Sequence, residues 1–147
     1  MTRRWLVVLV ALVLLLSAAS LAYLYDPPWI VDVTSGLRAW EEDPPGTRFR
    51  WTTGRGTFFI PSSSTEMILP LRAVFPGPNG TAVNVEVRGD GKLVGTIALT
   101  NPDEWVRARL SLRPSTSRRR YRRIDLGVSR VVPPFTLGVM TGVVDAR

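Results

Sequence analysis

The sequence predicts an all-β fold, an antiparallel sandwich preceded by a single N-terminal transmembrane helix. Three observations lead there. Trp5 to Tyr25 is a run of 21 uncharged, mostly apolar residues. From Arg48 onward apolar and polar residues alternate with a period of two. The twelve prolines and twelve glycines gather between the alternating runs, where edges and turns need them.

As a helix, the run 5–25 reaches roughly 31 Å, about the thickness of a bilayer's hydrocarbon core. Arg3 and Arg4 precede it and Asp26-Pro27-Pro28 follows. Positive charge is retained on the cytoplasmic side, so the expected topology is a single pass with the N-terminus cytoplasmic. The rest is then extracytoplasmic, periplasmic or at the cell surface. Trp5 would lie at the near interface and Tyr23 and Tyr25 at the far one. A cleaved signal peptide competes with the retained anchor: Leu6 to Leu16 has the length of a signal core, and Ser17-Ala18-Ala19 fits a small-residue cleavage pattern. The apolar character resuming through Leu21-Ala22-Tyr23-Leu24 favours the anchor.

The expected division is an anchor at 1–25, a linker and lead-in at 26–45 and a sandwich at 46–147. Pro27-Pro28 ends the helix, because proline cannot extend the hydrogen-bond ladder. Trp29, Ile30 and Val31 pack on the domain or rest at the membrane surface, and Glu41 to Gly46 reads as an acidic turn. Phe49 and Trp51 form one short run, and Phe58 and Ile60 a second. Met67, Leu69, Leu71, Ala73 and Phe75 share a face, as do Val83, Val85 and Val87. Gly89-Asp90-Gly91 supplies the positive-φ positions of a tight hairpin, returning through Leu93, Ile97 and Leu99. Val106 to Leu112, Ile124 to Val128, and Phe135, Leu137 and Val139 complete about eight runs. Short strands of this spacing, with no amphipathic helix, mean an antiparallel sandwich.

Composition limits the chemistry. There is no histidine, which removes the commonest general base and the commonest metal ligand, and no cysteine, so no disulfide. Extracytoplasmic domains without disulfides are ordinary in bacteria. Residues 26–147 carry a net +5, and Lys92 is the only lysine. The acidic stretches Glu41-Glu42-Asp43 and Asp103-Glu104 lie in turn-like sequence, not as the facing carboxylate pair a glycosidase needs. Asp90 lacks the further carboxylates of a calcium loop. Asn79-Gly80-Thr81 fits a glycosylation sequon and equally a plain turn. No nucleophile elbow or phosphate-cradling loop is present. The expectation is a non-catalytic protein without cofactor or metal.

The pieces Trp40-Glu41, FRWT from Phe49, LPLRAVFPGP from Leu69, VNVEVRGDGKLVGTIAL from Val83, EWVRARLSL from Glu104 and RRIDLGVSRVVPPFTLGV from Arg122 carry a resemblance. The chain resembles a poorly characterised group of bacterial envelope proteins that join an N-terminal membrane helix to a jelly-roll domain. That domain is similar to carbohydrate-binding modules and galactose-binding-like domains, and related domains are appended to membrane glycosyltransferases. The resemblance covers nearly all of residues 26–147 and implies a jelly-roll-like sandwich. It carries over no binding residue, and fold alone does not fix function.

Two features are candidate sites. Trp40, among acidic residues and prolines, is the best exposed aromatic for stacking on a sugar face, whereas Trp51 alternates in register with Phe49 as core and Trp105 starts a strand as core or rim. Arg118, Arg119, Arg120, Arg122 and Arg123, interrupted only by Tyr121, read as a loop before the Ile124 strand. Such a loop is either solvated surface or a patch for anionic lipid head groups or an anionic envelope polymer. Nucleic acid would fit the charge, but the expected compartment argues against it. The functional expectation is a membrane-anchored module binding an envelope glycan or glycolipid head group. The alternative is an interaction subunit docking on a membrane protein partner such as a glycosyltransferase. Besides such partners, the bilayer itself is engaged through residues 5–25.

Overall fold

The computed structural model describes residues 3–43, 46–75 and 77–147. Pro44 and Pro45 of the expected acidic turn, and Pro76 of the expected 76–80 loop, lie outside the described residues. Helix α1 runs Arg3–Tyr25 and is exposed along its length from Arg4. An apolar helix of 23 residues is long and apolar enough to cross a membrane. It ends at the proline pair, where a short 3-10 helix, Pro28–Asp32, turns the chain toward the sheet.

Ten strands follow: β1 Ser35–Leu37, β2 Glu41–Asp43, β3 Thr47–Pro61, β4 Glu66–Arg72, β5 Val83–Gly89, β6 Lys92–Leu99, β7 Val106–Ser111, β8 Tyr121–Val128, β9 Met140–Gly142 and β10 Asp145–Ala146. Every pairing is antiparallel. In one layer β3 is flanked by β1 and β8, and the ladder continues through β5 to β6. In the other, β2, β3, β9, β4 and β7 follow in order, with β10 also on β4. The chain is therefore an antiparallel β-sandwich with one N-terminal apolar helix, the class the alternation predicts.

The two layers share β3. Its start, Phe49 to Trp51, pairs with β9, and its end, Arg55 to Pro61, pairs with β8. Gly54 lies between the two segments with φ +94°, a backbone conformation that a side chain resists. The sequence divides this 15-residue strand into two runs because Thr52 to Thr57 has no apolar alternation. The sheet also begins earlier than residue 46, since β1 and β2 of the lead-in both pair with β3.

Between the layers, Phe58, Ile60, Val85, Val87, Ile124 and Leu126 meet Met67, Leu69, Leu71, Leu112 and Val139. A satellite cluster holds Phe49, Trp51 and Met140, with Trp105 packed against it. Four expectations are corrected. Leu93 is 56% exposed because the β5–β6 register shifts after Val87, making Val94 the extra residue that packs inward. Phe75 lies beyond the end of β4, 37% exposed, with its ring stacked 6.3 Å from that of Trp51 and outside the main core. The run Phe135 to Val139 is a turn closed by a Val132–Leu137 bridge, with Phe135 exposed, and only Met140–Gly142 is strand. Finally, β8 starts at Tyr121, so the arginine run is half loop and half strand.

Leu69→Ala removes a side chain with no exposed surface and should destabilise the full chain in detergent by about 2–5 kcal/mol in urea denaturation. Arg109→Ala removes only an exposed 3.5 Å ion pair to Glu66 and should cost no more than about 1 kcal/mol. Equal costs would contradict this core.

Candidate functional site

Loop 113–120 joins β7 to β8 and is shaped by its own serines. Ser115 Oγ accepts from the Ser117 N–H at 3.2 Å, and Ser117 Oγ accepts from the Arg119 N–H at 3.1 Å. The Arg120 carbonyl accepts from the Ser62 N–H at 2.7 Å, tying the loop to the end of β3. Its other attachment is the exit of α1. The Arg120 N–H donates to Asp26 Oδ2 at 3.0 Å, and Arg120 Nε lies 3.5 Å from the same oxygen. The Arg119 guanidinium stands 4.9 Å from the centroid of the Tyr25 ring. Tyr23, Tyr25, Trp29, Phe59, Arg119 and Tyr121 line a cleft of about 300 Å³ at this junction. Aromatic faces, the Arg119 cation and the Asp26 carboxylate thus surround a pocket at the end of an apolar helix.

The expected arginine patch divides. Arg118, Arg119 and Arg120 are exposed, and Arg119 and Arg120 reach the helix exit. Arg118 has no ion pair with any described residue. Arg123 is exposed and donates from Nε to Asp125 at 2.9 Å. Arg122 is corrected from loop cation to buried residue, only 4% exposed. It shares the parity of Ile124 and Leu126, so the pleat turns it inward. Its Nη1 donates to the Arg113 carbonyl at 2.8 Å and its Nη2 to the Ser62 carbonyl at 3.0 Å. The period-two pattern alone, extended two residues back from Ile124, identifies it.

Trp40, between β1 and β2, is 40% exposed. Arg50 and Arg48 place their guanidinium carbons 4.5 and 5.2 Å from its ring centroid. The ring therefore already carries two cations, and it borders a cleft of about 270 Å³ with Val31, Phe59 and Val143. Burial lowers the Arg50 pKa, yet a guanidinium stays protonated.

The two acidic stretches meet, which their separation in sequence hides. Arg72 donates to Asp43 from Nη1 and to Asp103 from Nη2, each at 3.1 Å, with the Trp105 ring 6.0 Å away. Glu104 accepts from Asn101 at 2.6 Å. Both aspartates are spent on one arginine that fastens the lead-in to the β7 side. Asp90, with φ +50°, and Gly91, with φ +79°, form the β5–β6 hairpin turn, and Asp90 Oδ1 accepts from the Arg123 N–H.

No protein-family model matches the chain, and no curated protein matches it. Solved structures do. The EclA C-terminal domain, a sugar-binding protein, is 14% identical, with 74% of this chain and 89% of that one covered and a TM-score of 0.46. The C-terminal CBM6 of LamC from Zobellia galactanivorans is 9% identical, with 76% and 88% covered and a TM-score of 0.46. A glycoside hydrolase family 43 arabinoxylan arabinofuranohydrolase from Bacillus subtilis is 11% identical, with 78% of this chain but 24% of that one covered and a TM-score of 0.43. The resemblance to carbohydrate-binding modules named from the sequence thus recurs among structural neighbours. The fold assignment itself rests on the strand pairings.

Asp26→Ala removes the acceptor that holds the Arg120 N–H, a charge-assisted bond worth about 1.5–3 kcal/mol. Hydrogen exchange on the full chain in detergent should then speed at the Arg120 amide by about tenfold or more, with the Ile124 and Leu126 amides unchanged. An unaltered Arg120 rate would show that the loop is not held there.

Proposed function

We propose that the protein is a membrane-anchored, extracytoplasmic β-sandwich module. It is non-catalytic and binds the anionic head group of an envelope glycolipid at the bilayer surface. The observation that carries this reading is the attachment of loop 113–120 to the helix exit, with Arg119 over Tyr25 and Arg120 on Asp26. If α1 spans the membrane, that junction lies at the interface, where tyrosine and tryptophan rings settle. Arg118 and Arg119 then face the head-group layer, where each cation gains about 1 kcal/mol near an anionic surface. Trp29, 51% exposed and lining the cleft, offers a ring for a sugar face. Arg3-Arg4 ahead of the helix and Asp26 behind it support an N-terminus inside and the sandwich outside. Anchor, lead-in and sandwich follow the division 1–25, 26–45 and 46–147, with β1 and β2 of the lead-in built into the sheet.

A second reading, an interaction subunit on a membrane partner such as a glycosyltransferase, is favoured by one observation. Val31 and Val143 are exposed beside the Trp40 cleft, an apolar surface close to the anchor.

The test is a glycolipid and glycan array probed with the detergent-solubilised full chain at low and high salt. Head groups bearing phosphate or carboxylate should be retained. Changing Arg118 and Arg119 to glutamine should weaken retention about tenfold and flatten its salt dependence, because exposed charges are screened within about 10 Å at 0.1 M salt. Trp29→Ala should weaken it with little salt effect. No retained glycolipid, together with a specific co-purifying membrane protein, would replace this reading with the subunit.

A further inference from the structure

A second cleft, of about 360 Å³, lies between the same loop and the β5–β6 hairpin. We propose that it binds an acidic saccharide, a sugar unit carrying a carboxylate. The proposal does not depend on the head-group reading, since it uses different residues.

The argument begins with Arg122, which lines this cleft. A buried charge is costly unless it is paired. Arg122 is 4% exposed, and the two hydrogen bonds of its guanidinium go to neutral backbone carbonyls. It forms no ion pair with a described residue, and its buried Nε has no hydrogen-bond partner. Five N–H donors are available on a guanidinium, and two of them are used among the described residues. Lys92 and Arg113 line the same cleft and add charge of the same sign. Asp90 is the one acidic lining residue, and its Oδ1 is engaged by the Arg123 N–H at 3.1 Å. Among the described residues the cleft therefore sets three cations, Lys92, Arg113 and Arg122, against the single Asp90 carboxylate, a net positive wall, and an anion is the ligand that offsets it.

The rest of the lining selects a sugar over a bare anion. Ser111, Ser115 and Thr116 supply hydroxyls that donate and accept. Leu93 supplies an apolar wall. It is turned outward only because the bulge after Val87 shifts the strand by one residue. Hydrogen-bonding groups beside an apolar surface, in a volume far above that of a small ion, match the two-sided character of a pyranose ring.

Isothermal titration of the full chain in detergent with D-glucuronate, D-glucose and inorganic phosphate tests this. Glucuronate should bind, with glucose and phosphate each at least about tenfold weaker. Arg122→Met removes two carbonyl-holding bonds and risks unfolding the loop, so Arg113→Gln and Lys92→Gln are the informative variants. Arg122 holds Arg113 through its backbone, so both variants should keep the melting temperature, and each should weaken glucuronate about tenfold. The proposal is overturned if glucuronate does not bind, if glucose matches it, if phosphate matches it, or if neither variant changes its affinity.

Discussion

Strand β3 is the element on which the rest depends. It belongs to both layers, and each of its segments fixes a different neighbourhood. The first segment takes β2 on one side and β9 on the other, which brings Arg50 under Trp40 and seats the Phe49–Trp51–Met140 cluster. The second segment pairs Pro61 with Tyr121, so the strand that follows the arginine loop starts where β3 ends. Ser62, the next residue, then holds the loop through Arg120 and receives a bond from Arg122. A strand that ended at Gly54 would leave that loop without its base.

The chemistry gathers at one end of the sandwich. The end of β3, the start of β8 and the β5–β6 turn are brought together by their registers, and Asp26 fastens the helix exit to the same end. Loop 113–120 stands between two clefts there, one lined by aromatic rings and Arg119, the other by Lys92, Arg113 and buried Arg122. The second is net positive, whereas the first sets Arg119 beside the Asp26 carboxylate, and only the first is lined by the exit of the apolar helix. The arginine run serves three roles within six positions: Arg118 and Arg119 present charge, Arg120 ties the loop to the anchor, and Arg122 supports it from below.

The core was legible wherever alternation is strict. Met67, Leu69 and Leu71, Val83, Val85 and Val87, and Ile124 and Leu126 read correctly because half-buried strands require one apolar face. Arg122 was legible by the same rule, but its charge pointed to solvent while its parity pointed inward, and the two carbonyls that let it stay inside are remote in sequence. Leu93 misleads because a bulge reverses parity and leaves no mark in the pattern. Strands of three residues such as β1 and β2 are too short to show a period. The meeting of Asp43 and Asp103 on Arg72, like that of Asp26 with Arg120, is made by the fold, and no local spacing announces it.

The central claim is that the arginine loop rests at the bilayer surface. The chain has no cysteine, so Arg118→Cys provides a single attachment point for a nitroxide label. With the full chain in lipid nanodiscs, relaxation of that label by a nickel chelate carried on lipid head groups measures its distance from the surface. The account predicts strong relaxation, well above that of a label at Asn79 in the turn before β5, which is not among the residues lining the helix-junction cleft. Weak and equal relaxation at the two positions would contradict it.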